Sequence, residues 1–525
     1  MDSENPHFLQ FFLLLCIKHL TNYSRLDNQK EQVLLYPTER SDFMLQPLKN
    51  HSCYLNQLDI ALAKIPIDIL EEFDFEISFF RLLNFDPALS LFSEKFSHTG
   101  RPSTRNLEIF RAFLYASQNK MNVKELRKTL RSTPIIRALC GFPSKADIPC
   151  CGTFYNFMNR LVPIQEAKQV KKPLGQKPSK KELGDDQKLK DKRPASRTTK
   201  LAQKIIDKKI SLDSTPERFL QKVMALIAVK PSIQLGLLTK QLSVSADGTC
   251  LKTGASSRGK WVCDCRKKGI WKCNCDRLYS DPLANIGWDS HEKKWFYGYT
   301  AFFLSSFSEK YKKDLPLLVR LVDAKRHDSL SSMLALVDFQ EVYPELTMQH
   351  FLADSAMDAG PIYSLLNEKN ISAIIDLNTR NLPKEKQGDI TFDKKGCPIC
   401  PAGRKMIFNG SWERNMSRRI KYRCSAKAKK SEPCHLETPC STSNYGRTFY
   451  VKADDDLRLY PTIPRDSKEW KELYKQRTAT ERVNKQVLID YGLENMKVRT
   501  KHRNFFFTIM ASINIHLKAQ LSIVD

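Results

Sequence analysis

A chain of 525 residues with 41% hydrophobic content has room for roughly two to four domains with real cores, at about 150 residues each, and no run reaches the ~18 consecutive apolar residues of a membrane span. The formal net charge of +27, from 85 Lys and Arg against 58 Asp and Glu, points to a polyanionic partner, of which nucleic acid is the commonest. Fifteen cysteines in so large and lysine-rich a chain argue against a small secreted disulfide scaffold and for a reducing compartment, where grouped cysteines read as zinc ligands.

The most apolar run, Phe8 to Ile17 (FLQFFLLLCI), is too short to span a bilayer. It lacks the basic segment and cleavage site of a signal peptide and reads as the buried face of a helix. Residues 1–163 are expected to be a mostly helical domain, on the patterns Ile65 to Leu83, Leu107 to Ala116 and Val123 to Leu130. CCGTFYNFMNRL then supplies a short helix with Asn156, Asn159 and Arg160 expected to be exposed. Such helices suit a DNA-binding helix-turn-helix, or equally a plain bundle. Residues 164–215 are lysine-rich and nearly free of large apolar residues over their first part, so they are expected to be a mobile basic linker that can hold phosphates.

Residues 216–377 switch to strands and helices, the pattern of a mixed α/β sheet. In SVSADGTCLKTGA the alternation Leu242, Val244, Ala246 predicts a strand that ends at Asp247, with Gly248 leaving room for a ligand to approach. Trp295 to Phe303 and Leu317 to Val322 follow as strands, then a helix over Ser329 to Val342 with Asp328 as its cap. Met348 to Ala353 predicts a strand ending at Asp354, Ala359 to Leu366 a helix, and Ile371 to Leu377 a further strand. Residues 378–465 are polar and rich in Gly, Pro and Cys, too long for a loop, and are read as an inserted subdomain with short strands such as Tyr445 to Ala453. In residues 466–525, Ser467 caps one long helix, roughly Lys468 to Tyr491, and a last helix covers about Asn504 to Leu521.

Two carboxylates, Asp247 and Asp354, thus end apolar strands, and open α/β sheets build active sites beyond strand ends. Side by side they repel, and a divalent cation with oxygen preference offsets that. A third carboxylate is available in KELYKQRTATERVNKQVL, where Tyr474, Arg477 and Glu481 at i, i+3 and i+7 share a helical face that Lys485 extends. The cysteines fall in two groups. Cys397, Cys400, Cys424, Cys434 and Cys440 begin with a C-x2-C knuckle in the insertion, where His435 is a further ligand candidate, and read as a zinc ribbon. Cys263, Cys265, Cys273 and Cys275 form C-x-C-x7-C-x-C, a second candidate zinc set; packed, reduced thiols are the alternative for both.

SVSADGTCLKTGA, DPLANIGWDSHEKKWFYGYTAF, LVDAKRHDS, FLADSAMDA and YKQRTATERVNKQVLIDYGLEN together resemble the DDE transposases of bacterial insertion sequences, in the branch with a long insertion before the catalytic glutamate. GRPSTRNLEIFRAFLYA and LRSTPIIRALCGFPSKADIPCCGTFYNFMNRL resemble the helical N-terminal domain of the same group. The resemblance implies an RNase H-like catalytic core and an acidic triad of Asp247, Asp354 and Glu481. It implies two Mg²⁺ (or Mn²⁺) ions bracketing a scissile phosphate, and DNA cleavage followed by strand transfer. Tyr474 and Arg477 match its signature helix and would touch DNA, as would Arg326 and His327 after a core strand, His327 being alternatively structural. The signature lysine falls at Leu488 here, with Lys485 the nearest substitute. DNA ends and target are the implied partners, a homodimer the implied assembly, and the cytoplasm, at the nucleoid, the implied location. The alternatives are a domesticated, non-catalytic DNA-binding zinc protein and an RNase H-like nuclease.

Overall fold

The computed structural model describes residues 48–96, 105–162, 196–210 and 217–524, except 274, 379–386, 394, 415–416, 429–433 and 439, together with the backbone of 171–172. The Phe8 to Ile17 run and most of the basic linker lie outside these residues. Helices α1 (His51–Leu62), α2 (Ile67–Glu72), α3 (Asp74–Leu82), α4 (Leu89–Ser93), α5 (Asn106–Gln118), α6 (Val123–Ser132), α7 (Pro134–Cys140) and α8 (Cys151–Leu161) make up the N-terminal part. Within the expected linker, the backbone of β1 (Lys171–Lys172) joins a small sheet, and α9 (Arg197–Ile206) folds with Ser196 as its cap and Ala202 and Ile205 buried. A helix forms there because its few apolar residues fall on one face, which packs against the core helices described next.

The core contains α10 (Arg218–Met224), α11 (Lys230–Gln234), β2 (Gln241–Lys252), β3 (Lys260–Trp261), β4 (Arg277–Leu278), β5 (Asn285–Asp289), β6 (Lys294–Ser308), β7 (Lys313–Asp323), α12 (Asp328–Val342), β8 (Thr347–Ala353), α13 (Gly360–Glu368) and β9 (Ser372–Ile375). The large sheet runs β7-β6-β2-β8-β9, with β5 continuing along the far part of β6. β6 is antiparallel to β2 and β7, whereas β8 is parallel to β2 and β9 to β8. This is the mixed sheet of an RNase H-like core. α9 lies against α12 and α13 on it.

The insertion holds β10 (Thr391–Phe392) paired with β11 (Pro398–Ile399), a meander of β12 (Ile407–Arg414), β13 (Ser417–Arg423) and β14 (Thr448–Lys452), and the short α14 (Ser425–Ala428). The sequence hid β12 and β13 because β12 is mostly exposed and β13 is basic and half-buried, and neither shows apolar alternation. Leu377, Ile420, Val451, Leu459 and Tyr460 give this part its own small core.

The expected long helix after Ser467 is two: α15 (Lys468–Lys475) and α16 (Thr478–Lys485), followed by a π-turn over Gln486–Asp490. At Gln476 and Arg477 the backbone bonds tighten to i−3. Ser467 does cap the start, accepting the Trp470 N–H. The last helix, α17 (Lys501–Val524), is the only one among the described residues long and apolar enough to cross a membrane, and 78% of that window is buried inside the molecule. It is the central core helix. Phe113 of α5 meets its Phe506 edge-on at 4.9 Å, and Asn514 Nδ2 donates to the Leu114 carbonyl at 3.0 Å. The N-terminal helices and the sheet therefore share one hydrophobic interior. Asn156 and Arg160 of α8 are exposed, but Asn159 is half-buried and its Oδ1 is bonded to His502 Nε2 at 2.9 Å.

Candidate active site

Asp247 does not end a strand. β2 continues five residues further because β6 is long enough to pair it, from Gly248 opposite Phe302 to Lys252 opposite Gly298. What stops there is the other neighbour: Ser245 opposite Leu352 is the last parallel pair, and β8 ends at Ala353. Two residues on in both strands stand Asp247 and Asp354. Asp247 is thus mounted on a rigid strand at the point where one edge opens, and Asp354 begins the turn beyond, its Oδ1 accepting the Ala356 N–H at 3.0 Å.

α16 brings Glu481 over this edge, packing on β2, β6 and β7. A hydroxyl bond between Thr480 and Ser245 ties helix to strand, and Asn484 Nδ2 donates to Asp247 Oδ2 at 3.0 Å. Arg482 grips Asp314 at the start of β7 with two bonds of 2.6 and 2.7 Å. Arg477 Nη1 donates to Glu481 Oε1 at 2.7 Å, and Tyr474 stacks on Trp470 with ring centroids 4.5 Å apart. Trp470 itself is buried against Leu352 and Ile374, which fixes α15 on the sheet. The three expected carboxylates and the Tyr474–Arg477 pair are therefore brought to one place.

Sequence reasoning missed two residues here. Asp328 is not the cap of α12 but its first residue; His327 caps, its Nδ1 lying 3.4 Å from the Ser329 N–H and 2.7 Å from the Ser329 hydroxyl. Asp328 points at β2, and Gly248 serves it rather than a ligand: a Cβ there would stand 2.7 Å from Asp328 Oδ1 and 2.9 Å from Thr300 Cγ2. The other is Asn484, three residues after Glu481 and so on the same helical face, a spacing legible in the sequence.

Burial, then the charges of Asp328 and Asp354, with Glu481 adding least, push the Asp247 carboxyl up to about 7. Burial also raises Asp328, with Asp354 adding to the rise and His327 opposing it. No three of these carboxylates bring their oxygens within 4.8 Å of one another. Asn484 is 7% exposed, and its Oδ1 has no hydrogen-bond partner. Crowded carboxylates beside an orphaned buried oxygen form an oxygen donor set that fits a hard divalent cation. Lys485 is exposed at the next turn of α16, Arg326 is exposed with its Nε 4.0 Å from Asp323, and His327 is exposed beyond its capping bonds.

The cysteines divide differently from the expectation. Cys263, Cys265, Cys273 and Cys275 have all four sulfurs within 4.8 Å of one another, the only such group of metal donors among the described residues. The insertion's cysteines form no group this tight, although Cys400, Cys424 and Cys434 are close enough to Cys440 for their charges to raise its thiol, after burial. The Cys397 thiol turns from Cys400 to donate to the Met406 carbonyl at 3.2 Å, Cys400 and Cys424 are buried, Cys434 is exposed and Cys440 half-buried. Cys400 packs with Ile390, Ala402 and Met406 as part of an apolar cluster. His435 is exposed.

No curated protein matches the chain. Two family models do: residues 68–160 match a transposase domain of the DUF772 type, which spans most of the N-terminal helices. Residues 240–516, more than half of the chain and running from β2 to α17, match the transposase DDE domain. The strand order, the paired aspartates and the glutamate-bearing helix lie within that second span, and the chain belongs to the transposase DDE domain family.

Proposed function

We propose that this transposase cuts DNA at the ends of a mobile element and joins the freed ends to a target, with Asp247, Asp354 and Glu481 as the acidic triad. The observation that carries this reading is the register of β2 and β8, which sets Asp247 beside Asp354 under the helix of Glu481. A divalent cation, Mg²⁺ or Mn²⁺, when held by these carboxylates, neutralises charge on the scissile phosphate and on the oxygens entering and leaving it. In the first step a water oxygen forms a bond to phosphorus, the P–O3′ bond breaks, and the 3′-oxygen leaves with a proton as a hydroxyl. In the second that 3′-hydroxyl bonds to a target phosphorus and expels the target's own 3′-oxygen, so phosphodiester bonds are exchanged without a co-reactant.

Asn484 holds Asp247 in orientation through Oδ2. Arg477 orients Glu481 and, with Tyr474 beside it, offers a guanidinium and a ring to a phosphate and a displaced base. Lys485, Arg326 and His327 are exposed for contacts to flanking phosphates, and the net charge of +27 suits a long DNA partner. The protein would act as a homodimer holding two ends, in the cytoplasm at the nucleoid. The test uses purified protein and a DNA fragment carrying the sequences that flank the gene. Mg²⁺-dependent nicks and joined products from wild type, absent with Asp354→Asn and Glu481→Gln, support the reading. Nicks without joined products favour a nuclease, and binding without nicks favours a non-catalytic DNA-binding protein.

A further inference from the structure

The C-x-C-x7-C-x-C segment is a small finger on the two-residue strands β3 and β4, which pair Lys260 with Leu278 and Trp261 with Arg277. Its sulfurs stand in two close pairs, Cys263 with Cys273 and Cys265 with Cys275, each 3.6 Å apart. A tetrahedral Zn²⁺ with Zn–S bonds of about 2.3 Å has sulfur edges of about 3.8 Å. A disulfide needs sulfurs about 2.05 Å apart. Arg277, only 4% exposed, reaches both members of the first pair, Nη1 lying 3.8 Å from Cys263 Sγ and Nη2 3.6 Å from Cys273 Sγ. Its guanidinium lies 3.2 Å from the Trp261 ring centroid. A fixed cation bonded to the sulfurs is the outer partner that a thiolate site needs, because it orients the ligands and offsets their charge. Among the described residues nothing apolar covers the tip of this finger: Arg266 through Lys272 are all exposed. Metal ligation is the available source of its stability.

The tip has the chemistry of a nucleic-acid contact. Lys268 and Ile270 donate their N–H groups to the Cys265 carbonyl at 3.1 and 2.8 Å, and Gly269 makes the turn at φ +75°. Arg266, Lys267, Lys268 and Lys272 outnumber the single acid, Asp264. Trp271 is 68% exposed with the Arg266 guanidinium 5.4 Å from its ring, and Ile270 is 48% exposed. β2 runs about 16 Å past Asp247, at ~3.3 Å per residue, before the chain leads on to the finger. We propose that Cys263, Cys265, Cys273 and Cys275 bind one Zn²⁺, and that the finger so closed contacts the DNA being processed, Trp271 stacking on an unpaired base and the basic residues holding the neighbouring phosphates. The zinc stands on the sulfur geometry alone; the DNA contact rests on the transposase reading.

The test takes the full chain, expressed with zinc, and measures metal content together with the thiolate charge-transfer absorption after exchange for Co²⁺. Wild type and Cys400→Ser/Cys424→Ser are expected to carry one zinc and the same Co²⁺ spectrum, and Cys263→Ser/Cys273→Ser neither. Should that last variant fail to fold, the shared spectrum of the other two assigns the site. Zinc kept by Cys263→Ser/Cys273→Ser, lost from Cys400→Ser/Cys424→Ser, or absent from wild type overturns it. For the second half, Trp271→Ala with its zinc intact is titrated against a labelled duplex bearing a single-stranded flank. Binding roughly five- to a hundredfold weaker than wild type is expected for one lost base stack. Binding equal to wild type overturns the DNA contact while the transposase reading stands; wild type that binds no DNA sinks both.

Discussion

The carboxylate site and the cysteine finger are both clusters of metal-donor side chains, and they are built in opposite ways. The finger's ligands lie within one short segment, and two tiny strands and a glycine turn suffice to face them. The carboxylates come from β2, the end of β8 and α16, and meet only because a six-stranded sheet, a buried Trp470 and the Thr480–Ser245 and Asn484–Asp247 bonds hold them. On the zinc proposal the finger would depend on its ligand for shape, whereas the carboxylates are held in place by the fold at an electrostatic cost. That cost is visible in the raised Asp247 carboxyl.

The comparison breaks if the carboxylates prove to hold the fold together. Asp354→Asn is expected to lower nicking by at least about 10³-fold, the loss of several kcal/mol of charge stabilisation, with no fall in melting temperature. A melting temperature that drops with activity retained would reverse the assignment. Asn484→Ala should lower activity by about 10- to 100-fold, as for other residues that orient a ligand, and raise the Mg²⁺ concentration giving half-maximal rate. An unchanged Mg²⁺ requirement would reduce Asn484 to packing. Gly248→Ala should cost about 1–3 kcal/mol in chemical denaturation, because Asp328 and Thr300 already fill the space.

The smallest effect is a pH dependence. Asp247 titrates higher in the folded chain, at about 7, than in the unfolded chain at about 3.9. Its contribution to stability is therefore present at low pH and lost as pH rises through about 7. A cation that replaces the proton acts in the range where the carboxylate is ionised. The rise in melting temperature on adding Mg²⁺ should be larger at pH 8 than at pH 6, and Asp247→Asn should flatten that difference. Equal rises at both pH values in wild type would show that Asp247 does not face the cation.

Much of the core was legible because its signals are local. The strands at Met348 to Ala353 and Trp295 to Phe303 are apolar runs, and Ser467 is a cap by type and position. Asp247, Asp354 and Glu481 could be chosen by carrying a motif over residue by residue. The end of β2 could not be read, since polar Gly248 to Cys250 stay in the strand only because β6 is there to pair them. The break between α15 and α16 was hidden because Tyr474, Arg477 and Glu481 keep helical spacing across it. β12 and β13 were hidden because an exposed strand and a basic, half-buried one carry no apolar alternation.

The residues alone settled the basic charge and the α/β class, because composition and short periodicity are properties of the chain itself, while the choice of three acids rested on a family resemblance. How closely the cysteines meet was decided in three dimensions: the C-x-C pairs bring four sulfurs within 4.8 Å, while Cys400, Cys424, Cys434 and Cys440 are neighbours in a looser group. The same holds for Asp328 and Asn484, which join the acidic site from the start of one helix and the inner face of another. Long-range convergence depends on strand register and helix packing, and those are set by the sum of many burial terms rather than by any one segment.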